Sequence, residues 1–505
     1  MKFSRTGLIW ALAALAVHLA GNAHYGFFRD ELYFIMCGRH PALGYVDQPP
    51  LTPLLAALSQ SFGISLFALR AVSAICAAIA TYVACVLTGE LEGGAFAQSV
   101  AGLVMIAAPE MMALGFRLSP DTIELCTWPL IALWMLRLTR GADPRWWLAV
   151  GAVTAIAAWS KYTVAFFIVA LLVGMLCTPA RRALKTWWFA TGALLAAILV
   201  LPNFLWQAYN GYPMLQLLEN DYGKFVLKDP PFPLQQILIM SPLLSVVWLT
   251  GLVWLLYRRG TRFLGIAYLA LIAVMWAFDA KNYYPGPVYP YLIAAGAVPI
   301  ERWTSAHRFW RIAAVAAIFA FAIPSTPFVL PVLPLKTFVA YQESLGRLFH
   351  LRFHVDRNAG NNIPIQYYAD MTRWPELTAA VGKVYASLPP GDRTQAAIFA
   401  NNAGEAAALD IYGGRYGLPA ALSGNNNYWL WGPRGFTGNV MIDVHGNARD
   451  DRLRFDSVRL AAVFRNPYAM PYENTVPIYV CRGIHRPLAV LWPELRNYSY
   501  GFDRL

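Results

Sequence analysis

Long apolar runs separated by short polar segments fill the first two thirds of the chain. A transmembrane helix needs about 20 mostly apolar residues, and about eleven segments approach that length. After residue 330 the apolar runs become too short to span a bilayer, and charged and Asn residues are scattered among them. The pattern therefore predicts a polytopic α-helical membrane body over 1–330 and a soluble domain over 331–505. The predicted spans are 7–23, 63–88, 96–113, 122–139, 146–159, 163–178, 187–208, 236–257, 263–278, 285–300 and 311–330.

The composition supports a membrane protein. Of the 505 residues, 58% are hydrophobic and only 13% are charged, and the mean hydropathy is +0.43. A soluble domain carries about 25% charged residues. These values exclude a disordered chain, a fibrous repeat and a disulfide-stapled secreted domain. The net charge of +12 does not indicate nucleic-acid binding, because the basic residues of the membrane body are clustered between spans.

The positions of the basic residues predict the orientation. Clusters of Lys and Arg occur at every second helix end, and such clusters mark cytoplasmic loops. The N-terminus is therefore expected inside, and an odd number of spans places the C-terminal domain outside. The first span also loosely fits a cleaved signal peptide, but the ten spans after it favour an uncleaved helix. The clusters are Lys2 and Arg5; Arg137, Arg140 and Arg145; Arg181, Arg182 and Lys185; Arg258, Arg259 and Arg262; and Arg302, Arg308 and Arg311.

Short alternating segments after residue 331 predict a small α/β domain. Four apolar runs are typical of buried strands, and helical segments separate them. The glycines of this region lack the spacing of a nucleotide-binding loop. The predicted strands are 396–400, 439–444, 458–464 and 477–481, and the predicted helices are 375–388, 404–412 and 490–497.

The first outer loop, residues 24–60, carries Asp30, Glu31 and Asp47 next to the end of an apolar span. Apolar residues between 32 and 36 predict a short interfacial helix, and Pro49-Pro50 is suited to the first turn of a second one. Two such helices would hold Asp30 and Asp47 at the lipid–water boundary. Either these are solvated loop charges, or partial desolvation raises their pKa values towards that of a general base.

Cations gather at the same predicted face. Arg70 lies near the outer end of the second span, Arg117 and Asp121 lie before the fourth, and Lys161 lies in the turn after the fifth. Ionisable residues at membrane depth are usually functional. Carboxylates beside cations suit a base and an anionic phosphate substrate. The alternative is that these charges only pair with one another.

These motifs, in this order, resemble the GT-C glycosyltransferases of the protein mannosyltransferase and aminoarabinose transferase type, the bacterial family 39-like enzymes. The resemblance extends over about 430 residues, and each motif alone is weakly specific. It rests on Asp30-Glu31, Gly44-Tyr45-Val46-Asp47-Gln48-Pro49-Pro50, Arg117…Pro120-Asp121, Ser160-Lys161, Pro202-Asn203…Trp206-Gln207 and Ser423-Gly424-Asn425-Asn426-Asn427-Tyr428-Trp429-Leu430-Trp431-Gly432-Pro433.

The resemblance implies an inverting glycosyltransferase. Its donor would be a sugar on a polyprenyl phosphate, and its acceptor a lipid, glycan or protein met on the outer face of the inner membrane. Asp47-Gln48 replaces the Glu-Lys that aminoarabinose transferases often have, which puts in doubt a phosphate contact and any divalent metal site there. The implied site residues are Asp30 and Glu31 for catalysis; Arg70, Arg117 and Lys161 for the donor phosphate; and Tyr45, Asp47, Gln48, Asp121 and Tyr162 for substrate binding.

Two other functions fit parts of the pattern. A transporter or flippase of lipid-linked sugars would show half-repeats and ionisable residues near the span centres. Here the charges gather at one face instead. A receptor would bind a ligand on its outer domain without chemistry. The aromatic and acidic residues of 208–235 suit sugar stacking and an interfacial belt equally well. We expect a multi-pass inner-membrane protein with a periplasmic site and C-terminal domain and no nucleic-acid partner. The residues indicate no certain cofactor and leave a divalent metal open.

Overall fold

The computed structural model describes residues 3–224, 226–353 and 359–500. Its first part is a bundle of helices α1 to α16, and each of the eleven predicted spans coincides with at least one of them. The helices are α1 Arg5–Gly21, α2 Arg29–Arg39, α3 Leu51–Ser59, α4 Leu66–Glu90, α5 Ala95–Ala107, α6 Pro109–Phe116, α7 Pro120–Thr139, α8 Trp146–Ala158, α9 Val164–Leu176, α10 Trp187–Tyr209, α11 Pro213–Asp221, α12 Phe232–Ile239, α13 Pro242–Tyr257, α14 Arg262–Ala277, α15 Tyr289–Trp303 and α16 Arg308–Ser325.

Only some of these helices are long and apolar enough to cross a bilayer singly. Within the described residues, three pass that test: α4, α10, and α16 with its continuation to Phe328. Helices α5 and α6 form one bent pair, and α12 and α13 form another. If each pair is one span, the number rises to five. Helices α1, α8, α9 and α14 are apolar but shorter. The apolar helices identify a membrane-embedded protein, and the expected count of about eleven spans stays a prediction.

One end of the bundle carries acidic residues within its basic clusters. Glu90 accepts a hydrogen bond of 2.6 Å from Arg137, and Glu92 lies 3.1 Å from Arg258 and 3.4 Å from Arg302. Loops that are far apart in sequence therefore meet at this end. The acidic residues of the 88–95 loop partly neutralise the cations that the sequence places there.

The rest of the described chain forms helices α17 to α24 around a four-stranded sheet. Strand order is β1-β2-β4-β3; β1 and β2 are parallel, and the other pairs are antiparallel. The elements are α17 Leu335–Phe349, α18 Gln366–Ala369, α19 Trp374–Ala386, α20 Pro390–Arg393, β1 Ala396–Ala400, α21 Ala403–Tyr412, α22 Asn426–Leu430, β2 Val440–Val444, α23 Ala448–Asp451, β3 Phe455–Arg465, β4 Thr475–Ile484 and α24 Leu488–Leu491.

All four predicted strands are present, but the burial of one differs from the prediction. Every residue of β2 is buried, whereas β3 is mostly exposed along its length. Strand β3 lies at the edge of the sheet and pairs only with β4 among the described strands. An apolar run predicts a strand, but it does not predict whether that strand is central or at an edge.

Helix α2 joins the two parts of the molecule. Its residues Leu32, Phe34 and Ile35 are at most 5% exposed and belong to the hydrophobic core of the C-terminal sheet and helix α21. The predicted short helix after span one therefore forms, but the C-terminal domain covers its apolar side. Because this core is shared, the position of α2 depends on the C-terminal domain.

Candidate active site

A cavity of about 440 Å³ lies between the loop end of the bundle and the C-terminal domain. Both parts of the chain form its walls, so neither part contains the site alone. Asp30, Asp47, Gln48, Arg117, Asp121, Lys161 and Tyr162 line it, whereas Glu31, Tyr45 and Arg70 do not. The structure thus brings together seven of the ten residues that the sequence singled out.

Glu31 and Arg70 form a fully buried ion pair behind the cavity wall. Both side chains are 0% exposed, and Arg70 donates to both carboxylate oxygens at 3.1 and 2.9 Å. The backbone N–H groups of Phe28 and Leu118 also donate to Glu31. Arg70 further donates to the carbonyls of His24 and Gly26. This arrangement encloses both side chains among protein partners, and neither side chain lines the cavity.

Asp30 is the member of the acidic pair that faces the cavity. It lies in the first turn of α2 and its side chain is 50% exposed. A carboxylate is favourable there because the helix dipole is positive at its N-terminus. Arg29 Nε lies 3.4 Å from the Asp30 Oδ1 atom. Asp30 therefore combines access to a substrate with a fixed position.

Asp47 is a second carboxylate on the cavity wall. The Tyr33 hydroxyl donates to its side chain at 3.1 Å, and the Tyr500 hydroxyl donates to its backbone carbonyl at 3.2 Å. Burial raises the pKa of Asp47 to about 7, and the nearby charge of Asp30 adds to that increase. A carboxyl with this pKa exchanges its proton near neutral pH, as a general base must.

Arg117 is the cation best placed to meet a phosphate. Its guanidinium lies against two aromatic rings, 4.2 Å from the centroid of Phe28 and 4.8 Å from that of Tyr367. In the part of the chain that the structure describes, no carboxylate lies within 4 Å of it. The rings fix the plane of the guanidinium and leave its charge available to an anion.

Lys161 is already paired. Its Nζ atom lies 2.6 Å from Asp121 Oδ1 and 3.6 Å from the ring centroid of Tyr284. The neighbouring Ser160 hydroxyl donates to the carbonyl of Pro120, so the two loops are joined twice. The alternative that the charges pair with one another thus holds for Lys161–Asp121 and Arg70–Glu31, but not for Arg117.

The motif at the end of α10 supports the loop that carries Asp47. Asn203 donates to the carbonyl of Leu43 at 2.7 Å and accepts from Tyr162 at 2.5 Å. Gln207 donates to the carbonyl of Tyr45 at 3.0 Å. Tyr45 is fully buried and donates to the carbonyl of Cys37. Tyr45 therefore shapes this loop from behind.

The Asn-rich motif of the C-terminal domain supports the same loop from the other side. Asn427 Oδ1 accepts from the Val46 N–H at 2.7 Å, and it lies 3.2 Å from the Tyr33 hydroxyl, whose single proton it shares with Asp47. Its neighbours Asn425 and Asn426 line the cavity. Residues almost 400 positions apart therefore fix the position of Asp47 together.

Arg29 is a residue that the sequence reasoning did not select. Its N–H donates to the carbonyl of Asp370, and its guanidinium lies 3.6 Å from Glu473. Burial raises the pKa of Asp370 to about 6, against the opposing effect of Arg29. The stem of Arg29 also packs on Gly404, where a Cβ would lie 2.1 Å from Arg29 Cγ. These partners are more than 300 residues away, so no local signal in the sequence identifies the cluster.

A metal ion has no evident set of ligands in this site. Among residues 3–224, 226–353 and 359–500, no group of three or more His, Cys, Asp and Glu side chains could hold one.

The arrangement of helices, interface cavity and C-terminal sheet defines the class of fold. It is the GT-C fold of the protein mannosyltransferase and ArnT type, as the sequence resemblance implied. Residues 47–206 match the family model of dolichyl-phosphate-mannose-protein mannosyltransferases. Among curated proteins, none matches the sequence significantly.

Two similar solved structures are of ArnT from Cupriavidus metallidurans. The one bound to undecaprenyl phosphate has a TM-score of 0.62 at 15% identity, over 94% of this chain and 98% of that chain. The apo structure has a TM-score of 0.63 at 14% identity, over 94% and 97% of the two chains. At this identity the similarity establishes the fold alone.

Proposed function

We propose that this chain is an inverting membrane glycosyltransferase. It would move a sugar from a polyprenyl-phosphate donor to a hydroxyl of a lipid, glycan or protein acceptor. The observation that carries the proposal is one cavity, at the loop end of a membrane-embedded bundle, whose wall holds the carboxylates Asp30 and Asp47 and the cations Arg117 and Lys161 among its charged residues. The similar ArnT structure with undecaprenyl phosphate supports this donor class.

In the proposed reaction, Asp30 removes the proton from the acceptor hydroxyl. The acceptor oxygen forms a bond to the anomeric carbon as the bond to the phosphate oxygen breaks, and the electron pair leaves with the polyprenyl phosphate. A phosphate is a good leaving group, so no general acid is needed. Asp30 suits the role because its side chain is half exposed on the cavity wall, whereas Glu31 is enclosed.

We propose that Arg117 holds the departing phosphate as negative charge collects on it. A preorganised cation in a site that excludes water is worth more than the same cation in solution. Lys161 would contribute through its exposed part, while Asp121 fixes its position. Asp121 and Tyr162 thus act on the substrate through the cations and loops that they hold.

We also propose the orientation that the basic clusters indicate. The cavity and the C-terminal domain, with its predicted start at residue 331, would face the periplasm of a multi-pass inner-membrane protein. A reporter that is active only outside the cytoplasm should work when fused after residue 505 and fail when fused near Arg259. The reverse result would place the site in the cytoplasm.

A transfer assay tests the activity itself. The purified protein, given a radiolabelled polyprenyl-phosphate hexose and an envelope lipid extract, should move label from the donor to the extract and release polyprenyl phosphate. A flippase would carry the labelled lipid across a vesicle membrane and leave the phosphate–sugar bond intact. Label that crosses the vesicle without any release would replace this proposal with transport.

A further inference from the structure

Four exposed cations form a basic patch at the end of the bundle opposite the cavity. Helices α7 and α9 begin beside the cavity and end at the two loops that carry the patch. Arg145 lies in the loop after α7, and Arg181, Arg182 and Lys185 lie in the loop after α9. Within the described residues, no carboxylate oxygen lies within 4 Å of their side-chain nitrogens. Asp143 accepts only from the backbone N–H of Arg145, at 2.9 Å.

Other basic clusters at this end of the bundle are partly neutralised by the protein itself. Glu90 lies 2.6 Å from Arg137, and Glu92 lies 3.1 Å from Arg258. Such pairing leaves less charge for an external anion. The basic patch lacks it, so its positive charge is available to a ligand.

The two loops of the basic patch are in direct contact. Trp147 Nε1 donates to the carbonyl of Ala183 at 3.1 Å, which joins the start of α8 to the middle of the second loop. The Arg145 guanidinium lies 5.7 Å from the ring centroid of Trp188. The other three cations all lie within two residues of Ala183. Cations from both loops therefore share one surface.

The boundary of the membrane lies at this surface. Helix α10 is long and apolar enough to span a bilayer, and only 17% of its 18-residue apolar window is buried inside the protein, so most of that window faces lipid. Its first residue, Trp187, is 63% exposed, and Trp146 at the start of α8 is 40% exposed. Exposed tryptophans are typical of the membrane–water interface. The cations that directly precede these residues are therefore at the level of the lipid headgroups.

The charge and position of the basic patch limit the class of ligand. Arg binds phosphate through paired N–H···O bonds, and Lys binds it as a point charge. At the membrane surface, phosphate groups belong to lipid headgroups. A zwitterionic headgroup adds an ammonium that the patch would repel, whereas an anionic headgroup adds none. The patch is thus complementary to a phospholipid with a net negative charge.

We propose that the basic patch is a binding site for the headgroups of anionic phospholipids, with their acyl chains along the lipid-facing side of α10. Basic pockets at the ends of membrane helices bind such headgroups in other proteins. The site lies at the opposite end of the bundle from the cavity. The inference therefore goes beyond the proposed glycosyl transfer and does not depend on it.

A lipid titration of the full-length protein in neutral detergent tests the site. A ligand that binds the folded state raises the melting temperature. Phosphatidylglycerol should do so at lower concentration than phosphatidylcholine, and salt should weaken this preference. In Arg181→Gln with Arg182→Gln and Lys185→Gln, the phosphatidylglycerol concentration at half of the shift should rise by about 10²-fold, because each Lys or Arg near an anionic lipid contributes about fivefold. Arg145→Gln alone should raise it by about fivefold.

Two sets of variants separate a site from general surface charge. Arg258→Gln with Arg259→Gln and Arg302→Gln removes the same charge from the same end, where Glu92 already pairs with two of these cations. This control should leave the phosphatidylglycerol concentration nearly unchanged. Replacing both Arg181 and Arg182 by Lys keeps the charge and should retain most of the binding. Without lipid, this Lys variant should unfold near the unmodified protein.

Three results would overturn the lipid site. The first is an equal loss of binding in the two triple-Gln variants, which would assign the effect to the net charge of this end of the bundle. The second is equal stabilisation of the unmodified protein by phosphatidylglycerol and phosphatidylcholine. The third is stabilisation by soluble glycerol phosphate at the same concentration as by phosphatidylglycerol, which would make the ligand a soluble phosphate.

Discussion

The buried pair of Glu31 and Arg70 makes a strong prediction about stability. Glu31→Gln keeps the shape of the side chain but removes its charge. Four donors now converge on the two carboxylate oxygens: two from Arg70 and the backbone N–H groups of Phe28 and Leu118. The amide of Gln would point its own donors at some of them. Both charged side chains are 0% exposed, so Arg70 would be left as a buried charge without a counter-ion.

Removing one partner of a buried ion pair costs about 3–5 kcal/mol. We therefore expect Glu31→Gln to lower the stability of the detergent-solubilised protein by about that amount. Thermal unfolding followed by tryptophan fluorescence would measure the loss. Replacing both charges, in Glu31→Gln with Arg70→Met, should recover part of it, with a coupling energy of about 0.5–3 kcal/mol. Asp30→Asn, a neighbouring acid-to-amide change at a half-exposed side chain, is the control and should unfold near the unmodified protein.

The opposite pattern would refute this reasoning. If Glu31→Gln unfolds like the unmodified protein, and Arg70→Met raises the donor KM without loss of stability, then Arg70 contacts the phosphate and the ion pair is not structural.

Three further predictions concern the cavity. Arg117→Gln should reduce kcat/KM for the donor more than tenfold, because a hydrogen bond to a charged group is worth about 1.5–3 kcal/mol, whereas Arg459→Ala on the exposed edge strand should change it less than twofold. Asp47 has a pKa of about 7 in the folded protein and a lower pKa in the unfolded chain, so its contribution to stability falls as pH rises from about 4 to 7. The melting temperature of Asp47→Asn should therefore rise relative to that of the unmodified protein over this interval. A difference in melting temperature that stays constant with pH would contradict the raised pKa. Gly404→Ala should displace Arg29 and lower both kcat and stability, the latter by about 1–3 kcal/mol; Gly414→Ala, where a Cβ meets nothing within 4 Å, should do neither.

The sequence predicted where helices and strands lie better than it predicted which segments pack against them. Apolar periodicity located the apolar segments of the bundle and the four strands within a few residues, because those signals are local. It did not predict the breaks between α5 and α6 and between α12 and α13, nor helix α11. The same signals placed the apolar side of α2 at the membrane surface, whereas the C-terminal domain covers it. They also made β3 a buried strand, although it lies at the edge of the sheet. Burial depends on which distant segment packs against an element, and a local pattern does not contain that information.

The sequence predicted the candidate site from the types of its residues and their order along the chain. It did not predict the contacts between those residues. Asp30, Arg117 and Lys161 face one cavity, but adjacent residues of the same motifs turn away from it, as Glu31 does. The bonds that decide these orientations come from remote positions. Asn427 fixes the loop of Asp47, and Gly404 with Glu473 fixes Arg29. Such partners lie hundreds of residues away, so only the folded chain identifies them.

The role of Asp30 as the base is tested most directly by Asp30→Asn in the reconstituted transfer assay. Loss of a general base costs about 10²–10⁴-fold in rate, so kcat should fall by that factor. Donor binding and melting temperature should stay near those of the unmodified protein, since the Asp30 side chain is half exposed. Near-normal turnover in Asp30→Asn, with turnover abolished in Asp47→Asn, would contradict the assignment and move the base to Asp47.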